Sequence, residues 1–358
     1  MSELESVLEA LRGVLAPGCE QSIVELGYVK GVDGKRIRVE FPAPLTPARR
    51  AVADRCRELL PEFEVALESK IPSSFTGEGG GALAGVRNVV AVGSGKGGVG
   101  KSTVAVNLAV GLARAGARVG LLDTDVYGPS VPLLMGVSRQ AFLERLELEP
   151  PAPGGQPRLT PHRAHDVLTL SLGYLVDPDK AAMWRGPMVH GAIMQLLNEC
   201  EWGELDYLIL DMPPGTGDVQ LTLSQNVPLA GAVLVCTPQP VALADARKAV
   251  NLFRTTHTEV LGLVENMAYH ACSACGHADD IFGRRGGQDA AEEWGLPFLG
   301  SLPLDTRVRV SGDEGRPLLA GDEPSPLADA LWGVIDRLTA VLAARVRSRP
   351  RSLPITRS

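Results

Sequence analysis

Gly93-Ser94-Gly95-Lys96-Gly97-Gly98-Val99-Gly100-Lys101-Ser102-Thr103 puts two lysines five residues apart in a glycine-rich stretch. It lies between an apolar run, Val86–Ser94, and a segment of helical periodicity, Thr103–Gly116. In that context it reads as a phosphate-binding loop. Glycines let backbone N–H groups close around phosphate oxygens, and the helix N-terminus adds the positive end of its dipole. Lys101 would reach the β- and γ-phosphates, and Ser102 would offer its hydroxyl to Mg2+. Such a loop needs one lysine, so Lys96 requires a separate account.

Three carboxylates follow apolar runs: Asp123 and Asp125 in Arg118–Asp125, and Asp211 at the end of Leu205–Asp211. A carboxylate at a strand end beside a phosphate loop can hold Mg2+ directly or through water. Asp211 fits the Walker-B position. Asp123, two residues before Asp125, shares its face if the strand stays regular, and both are expected near the metal. Gly215, after Pro213-Pro214, could present its N–H to a γ-phosphate; Asp218 reads equally well as a turn residue. Cys272 and Cys275 form a C-x-x-C pair that could grip one metal centre. A redox pair lacks the fold context it needs. A zinc site from His270, Cys272, Cys275 and His277 is conceivable, as is a cluster shared by two chains, since one chain supplies only half of a four-thiolate shell.

These residues need positioning elements. Short β-rich runs alternate with helical segments from residue 86 onward. That predicts an α/β fold with a mostly parallel sheet covered on both faces, its functional residues at the carboxyl edge. Residues 1–70 predict a small α+β domain: helix Leu4–Leu15, strand Ile23–Val29, a turn at Asp33-Gly34, strand Arg36–Phe41, helix Thr46–Leu60 and strand Glu64–Leu67. A linker (71–85), the phosphate-loop domain (86–345), with a Pro/Gly-rich excursion at Leu148–Pro161, and a disordered basic tail (346–358) complete the chain. The 358 residues are 45% hydrophobic and carry net charge −7 with 4% aromatics, which argues against a nucleic-acid binder. No apolar run approaches a membrane span and the N-terminus does not read as a targeting segment. Six cysteines without a disulfide framework suit the cytoplasm.

The spacing Lys96-Gly-Gly-x-Gly-Lys101-Ser102 resembles the deviant Walker A loops of the nitrogenase iron protein, the septum-site ATPases and the arsenite and tail-anchored-protein ATPases (the SIMIBI class of P-loop NTPases). That resemblance implies that Lys96 crosses a homodimer interface to the partner's nucleotide and that Asp125 orients the attacking water. It also implies that Asn266, in Val264–Met267, reads the adenine edge; Pro303 would pack beside the base, favouring ATP. A wider set of stretches is similar to the Mrp-type (ApbC-like) ATPases, the iron–sulfur cluster carriers: GSGKGGVGKSTVAVNLA, DTDVYGPS, MWRGPMV, WGELDYLILDMPPGTGD, LTLSQ, VALADARKAV, VENMAYHACSACG and IFG. Membership implies a homodimer holding a [4Fe–4S] cluster at paired Cys272 and Cys275, delivery to apo-proteins, and regulation by ATP. Residues 1–70, through SIVELGYV, resemble the small iron–sulfur-assembly domain. A septum-site-like role would need an amphipathic membrane-binding C-terminus, and the tail has no apolar stripe.

Departures from the family pattern are visible. Ser273 stands where a proline usually follows the first cysteine, and Arg285 replaces a glycine. The small domain has no cysteine in Pro42–Arg50, so Cys19 and Cys56 read as buried structural thiols rather than ligands.

Overall fold

The computed structural model describes residues 3–75, 83–148, 159–176, 186–272, 275 and 277–348. The middle of the expected linker, most of the Pro/Gly excursion, Ser273 and the tail from 349 lie outside them.

The chain opens with helix α1 (Glu3–Leu11), strands β1 (Val29–Asp33) and β2 (Arg36–Phe41), helix α2 (Pro47–Leu59) and strand β3 (Glu64–Ser69). β1 and β2 form a hairpin closed between Asp33 and Arg36, and β3 adds in parallel to β2. Thr46 caps α2, and Ile37, Val39, Phe41, Val52 and Cys56 fill a separate small core. The expected strand at Ile23–Val29 is not formed. Ser22 and Glu25 instead exchange reciprocal bonds, Ser22 N to Glu25 Oε2 at 2.8 Å and Glu25 N to Ser22 Oγ at 3.1 Å, which turn the chain through this apolar stretch. α1 also ends four residues early, before Gly13.

The second unit begins with β4 (Val89–Ser94), α3 (Lys101–Arg114), β5 (Val119–Asp123), α4 (Val131–Leu134), α5 (Arg139–Leu148), β6 (His162–Ala164), β7 (Val167–Ser171) and α6 (Leu172–Leu175). It continues with α7 (Gly186–Glu199), β8 (Tyr207–Asp211), α8 (Asp218–Asn226), β9 (Gly231–Cys236), α9 (Pro240–Thr255) and β10 (Val260–Glu265). The short strands β11 (His270–Ala271) and β12 (Ala278–Asp279) precede α10 (Gly286–Trp294), β13 (Phe298–Ser301), α11 (Thr306–Asp313) and α12 (Pro326–Ser348). Among the described residues, eight strands form one sheet in the order β13-β10-β9-β4-β8-β5-β7-β6, all parallel except β6 at one edge. Every residue of β4, β5, β8, β9 and β10 is buried, which is why these strands read as unbroken apolar runs. The order reverses around β4, so the loop after it sits at the crevice where such folds bind ligands.

The two units meet at the amino edge of the large sheet. Arg49 is buried against α12, paired with Asp336 Oδ1 at 3.2 Å and donating to Thr339 Oγ1 at 2.8 Å and Pro44 O at 2.9 Å. Thr46 Oγ1 donates to Asp336 Oδ1 at 2.7 Å, and Leu45 N to Ala115 O at the far end of α3 at 3.0 Å. The close of the chain differs from expectation, because residues 346–348 are the last turn of α12 rather than a tail. That turn is used: the Arg347 guanidinium lies 5.5 Å over the Tyr28 ring.

Candidate functional site

The loop between β4 and α3 folds under tight steric control. A Cβ on Gly95 would lie 2.1 Å from the Asp245 carbonyl carbon of α9, and one on Gly100 would lie 2.2 Å from Asn266 Nδ2. Gly100, at φ +83, also caps α3 in the left-handed region. Only glycine fits either position.

Lys101 begins α3 and turns inward. Its Nζ donates to Asp211 Oδ1 at 2.6 Å and to Ser102 Oγ at 3.2 Å, and both charged side chains are almost wholly buried. Asp211 Oδ2 is buried with no hydrogen-bond partner among the described residues. The neighbouring register position on β5 is Asp123. Burial, and then the Asp211 charge, push the Asp123 carboxyl up to about 8. Burial also raises Asp211, opposed by Lys101.

The geometry corrects one expectation. β5 ends at Asp123, so alternation does not carry Asp125 onto the same face. Asp123 accepts instead from Asp125 N at 3.0 Å, Ser171 Oγ at 3.0 Å and Val131 N at 3.4 Å. It fixes the turn that carries Asp125 rather than lining the open cleft. Gly215 has left-handed backbone at φ +86, but its N–H donates to Ser94 O at 3.0 Å, so it must change partner to meet a phosphate. Ser94 Oγ donates to Lys96 O at 2.9 Å, while Lys96 Nζ has no partner among the described residues. Asp218 is an exposed first residue of α8.

Beside the loop, Asn266 Nδ2 donates to Val99 O at 2.9 Å. Asn266, Met267, Pro303, Leu304 and Val308 join the first turns of α3 around a cavity of about 310 Å³. This is a mostly apolar slot with a polar amide at its loop-facing side, the character of a base-binding pocket. The cavity therefore gathers Asn266 and Pro303, two residues far apart in sequence.

The cysteine pair sits on the β11–β12 hairpin, which leaves the carboxyl end of β10. Cys272 N donates to His277 O at 2.9 Å; Cys272 is half-buried and Cys275 exposed. The histidines of the zinc alternative face other partners, His270 Nδ1 with Leu304 O at 3.2 Å and His277 Nε2 with Asp279 at 3.3 Å. Among the described residues no three His, Cys, Asp or Glu side chains are grouped to hold a metal ion. Cys56, Cys200 and Cys236 are buried thiols, pushed by burial to about 11, 12 and 12, whereas Cys19 is only half-buried.

Two contributors escape the sequence reading. Ser171, at the end of β7, holds Asp123. Glu265 is buried at the end of β10, accepting from Gly287 N at 2.6 Å and Ser301 Oγ at 2.9 Å, and so joins β10, α10 and β13. The apolar run before Ser171 was a usable signal for β7; an acid at the end of an apolar strand gave no indication of its partners.

Comparison with known proteins agrees with this geometry. Residues 85–339 match the ParA family as described for the NUBPL iron-transfer P-loop NTPases. An iron-sulfur cluster carrier protein of Deinococcus radiodurans is 42% identical over 358 residues, 98% of this chain and 99% of that one. One from Pseudomonas fragi is 52% identical over 246 residues, 69% of this chain and 83% of that one. Among solved structures, a nucleotide-binding protein of Archaeoglobus fulgidus in complex with ADP aligns with TM-score 0.56 and 37% identity, covering 68% of this chain and 91% of that one. The Pyrococcus furiosus cell division ATPase MinD shares the fold, with TM-score 0.51 and 22% identity over 71% of this chain and 99% of that one. By sequence over most of its length and by the architecture of its nucleotide loop, this chain belongs to the NUBPL-type iron-transfer P-loop NTPases.

Proposed function

We propose that the protein is an iron–sulfur cluster carrier. Two copies pair across their carboxyl-edge faces, and a [4Fe–4S] cluster is held as cargo by Cys272 and Cys275 of each. The cluster passes to apo-proteins in the reducing cytoplasm, with ATP binding and slow hydrolysis regulating the cycle. The observation that carries this reading is structural continuity: the hairpin bearing the cysteines is the direct extension of the segment whose Asn266 touches the phosphate loop and lines the cavity. The names of the relatives supply the cargo. Exposed apolar side chains at Tyr127, Leu133, Met188, Val241 and Ile281 ring this same edge, a surface a second copy would cover.

Within the site, Lys101 and the backbone of residues 95–103 would bind the phosphates. Asn266 and Pro303 would receive adenine, and Lys96 would serve a partner's nucleotide. The unpartnered Asp211 oxygen and the adjacent Ser102 hydroxyl are oxygen donors of the kind Mg2+ takes, with Asp125 at the rim. When bound, that ion neutralises phosphate charge. Asp125 would orient the attacking water and Gly215 would meet the γ-phosphate. No described helix is long and apolar enough to cross a membrane, and the acidic balance offers no footprint for nucleic acid.

Anaerobic reconstitution with iron and sulfide tests the reading. The expected product is a dimer with about four irons, set by the four-thiolate shell. Cys272→Ala and Cys275→Ala lose the iron and keep ATP hydrolysis, whereas His270→Ala and His277→Ala keep the iron. One zinc per monomer, lost in the histidine variants, would overturn it.

A further inference from the structure

We propose that His270 is a positioning residue that transmits nucleotide occupancy to the cysteine pair. The proposal rests on the reading of the cavity as the nucleotide's base site and of the cysteines as the cargo site.

Two chain segments leave the carboxyl edge of the sheet side by side, one from β10 and one from β13. Leu302 N donates to Glu265 O at 2.8 Å, Ala268 N to Leu302 O at 2.9 Å and Leu304 N to Tyr269 O at 2.7 Å. The ladder ends in a bridge between His270 and Leu304. There the histidine ring adds a bond of its own, with Nδ1 3.2 Å from Leu304 O. A carbonyl only accepts, so Nδ1 carries the proton. Asn266 and Met267 on one rail and Leu302 to Asp305 on the other line the cavity. Whatever fills the cavity therefore presses on both rails.

Among the described residues the ladder does not continue beyond His270. Two residues on, Cys272 closes its own hairpin through its bond to His277 O. The His270 ring therefore ties the base-binding rail to the strand that leads into the cysteine hairpin. The far rail is anchored below, because Asp305 caps α11 by accepting from Arg307 N at 2.8 Å. Leu304 is held between that anchor and His270. A second observation singles out this segment: Met267 has φ +56, left-handed backbone in a residue that is not glycine. Such strained backbone clusters at ligand clamps and switch regions. Met267 stands between Asn266, which touches the phosphate loop, and Ala268, where the ladder begins. Filling the cavity shifts Leu304, His270 follows through its ring, and the spacing of Cys272 and Cys275 changes with it.

The full chain without cluster tests this directly through the cysteines. Iodoacetamide alkylation of Cys272 and Cys275 is followed by peptide mass, with and without ADP or a non-hydrolysable ATP analogue and Mg2+. The buried Cys56, Cys200 and Cys236 serve as slow internal references. In the wild-type chain nucleotide changes the alkylation rates by at least about fivefold, the lower end of ordinary coupling between sites. His270→Ala retains nucleotide binding but its rates become independent of nucleotide. His270→Asn restores the effect, because its side-chain amide donates from the position of Nδ1; His270→Gln, which matches Nε2 instead, does not. A nucleotide effect that survives intact in His270→Ala overturns the proposal, since protection would then come from pairing of two chains alone. Absence of the effect in wild type overturns it as well. Iron uptake is measured separately on the same samples. Failure there, with the thiol result intact, sinks the carrier reading and leaves the coupling standing.

Discussion

Two buried ion pairs sit at opposite ends of the large sheet, and they are built differently. At the amino edge, Arg49 and Asp336 are surrounded by partners: Thr46, Thr339 and the Pro44 carbonyl add further hydrogen bonds. At the carboxyl edge, Lys101 and Asp211 leave one carboxylate oxygen unpartnered beside a second buried acid, Asp123. A pair tied to several neighbouring groups holds two surfaces in one geometry. A pair with an orphaned oxygen and an acid neighbour has an acceptor left over, which the proposed function assigns to Mg2+ beside the nucleotide phosphates. The first welds the small domain to α12; the second belongs to the proposed nucleotide site.

Breaking the second pair gives the largest effect on activity. Lys101→Ala removes the main cation for the β- and γ-phosphates, so nucleotide affinity falls and turnover is abolished; calorimetry and a phosphate-release assay read the two separately. Lys96→Ala, whose ammonium has no partner among the described residues, spares affinity and loses turnover. Equal losses of affinity in the two variants would end the distinction between them.

Breaking the first pair gives the largest effect on stability without touching the nucleotide loop. Arg49→Ala strands the Asp336 carboxylate and costs about 3–5 kcal/mol, as truncating one member of a buried pair does. Combining Arg49→Met with Asp336→Leu removes both charges, and recovers most of that loss. Denaturant unfolding measures both variants, and limited proteolysis detects release of the small domain. A double variant as weak as Arg49→Ala would show that shape rather than charge governs the contact.

How much of this was legible in the sequence depended on the range of each interaction. The glycine loop, Lys101 and Asp211 announce themselves because strand, loop and helix are contiguous and the strands are apolar on both faces. β4, β5, β8, β9 and β10 were legible for the same reason. Ile23–Val29 misled because its apolar residues look like a strand, whereas the local bonds of Ser22 and Glu25 make a turn that buries Ile23. β6 and β7 were missed beside the Pro/Gly-rich excursion. Asp125 was placed on the face of Asp123 because period-two alternation was carried past Asp123, where β5 ends. Arg49 and Asp336 could not be matched at all, since nothing local in α2 or α12 specifies a partner nearly the whole chain away.

The acid neighbour sharpens the comparison through pH. Asp123 titrates from an ordinary 3.8 in the unfolded chain to about 8 in the folded one. Below that window both states hold the proton. Inside it only the folded state does, so stability of the nucleotide-free protein falls as pH rises toward 8, by up to about 1.4 kcal/mol per unit for one proton. Asp123→Asn cannot titrate, keeps an acceptor for Asp125 N, and flattens the slope between pH 5 and 8 in thermal or urea unfolding. An unchanged slope would assign the retained proton to Asp211.

The smallest effect belongs to the outer edge of the domain contact. Arg347 lies over Tyr28 in the last turn of α12, exposed to solvent, with its charge against the ring face. Such a contact contributes about 0.5–1 kcal/mol, well below the buried pair some eleven residues earlier on the same helix. Arg347→Ala should lower stability by that amount and leave the small domain docked, because Arg49 and Asp336 still hold it. Arg347→Lys keeps the charge but loses the planar stacking, and should fall between the two. If Arg347→Ala instead exposed the small domain to protease as fully as Arg49→Ala does, docking would depend on the last turn of α12, and the contrast between a many-partnered pair that locks and an open pair that binds would lose its first half.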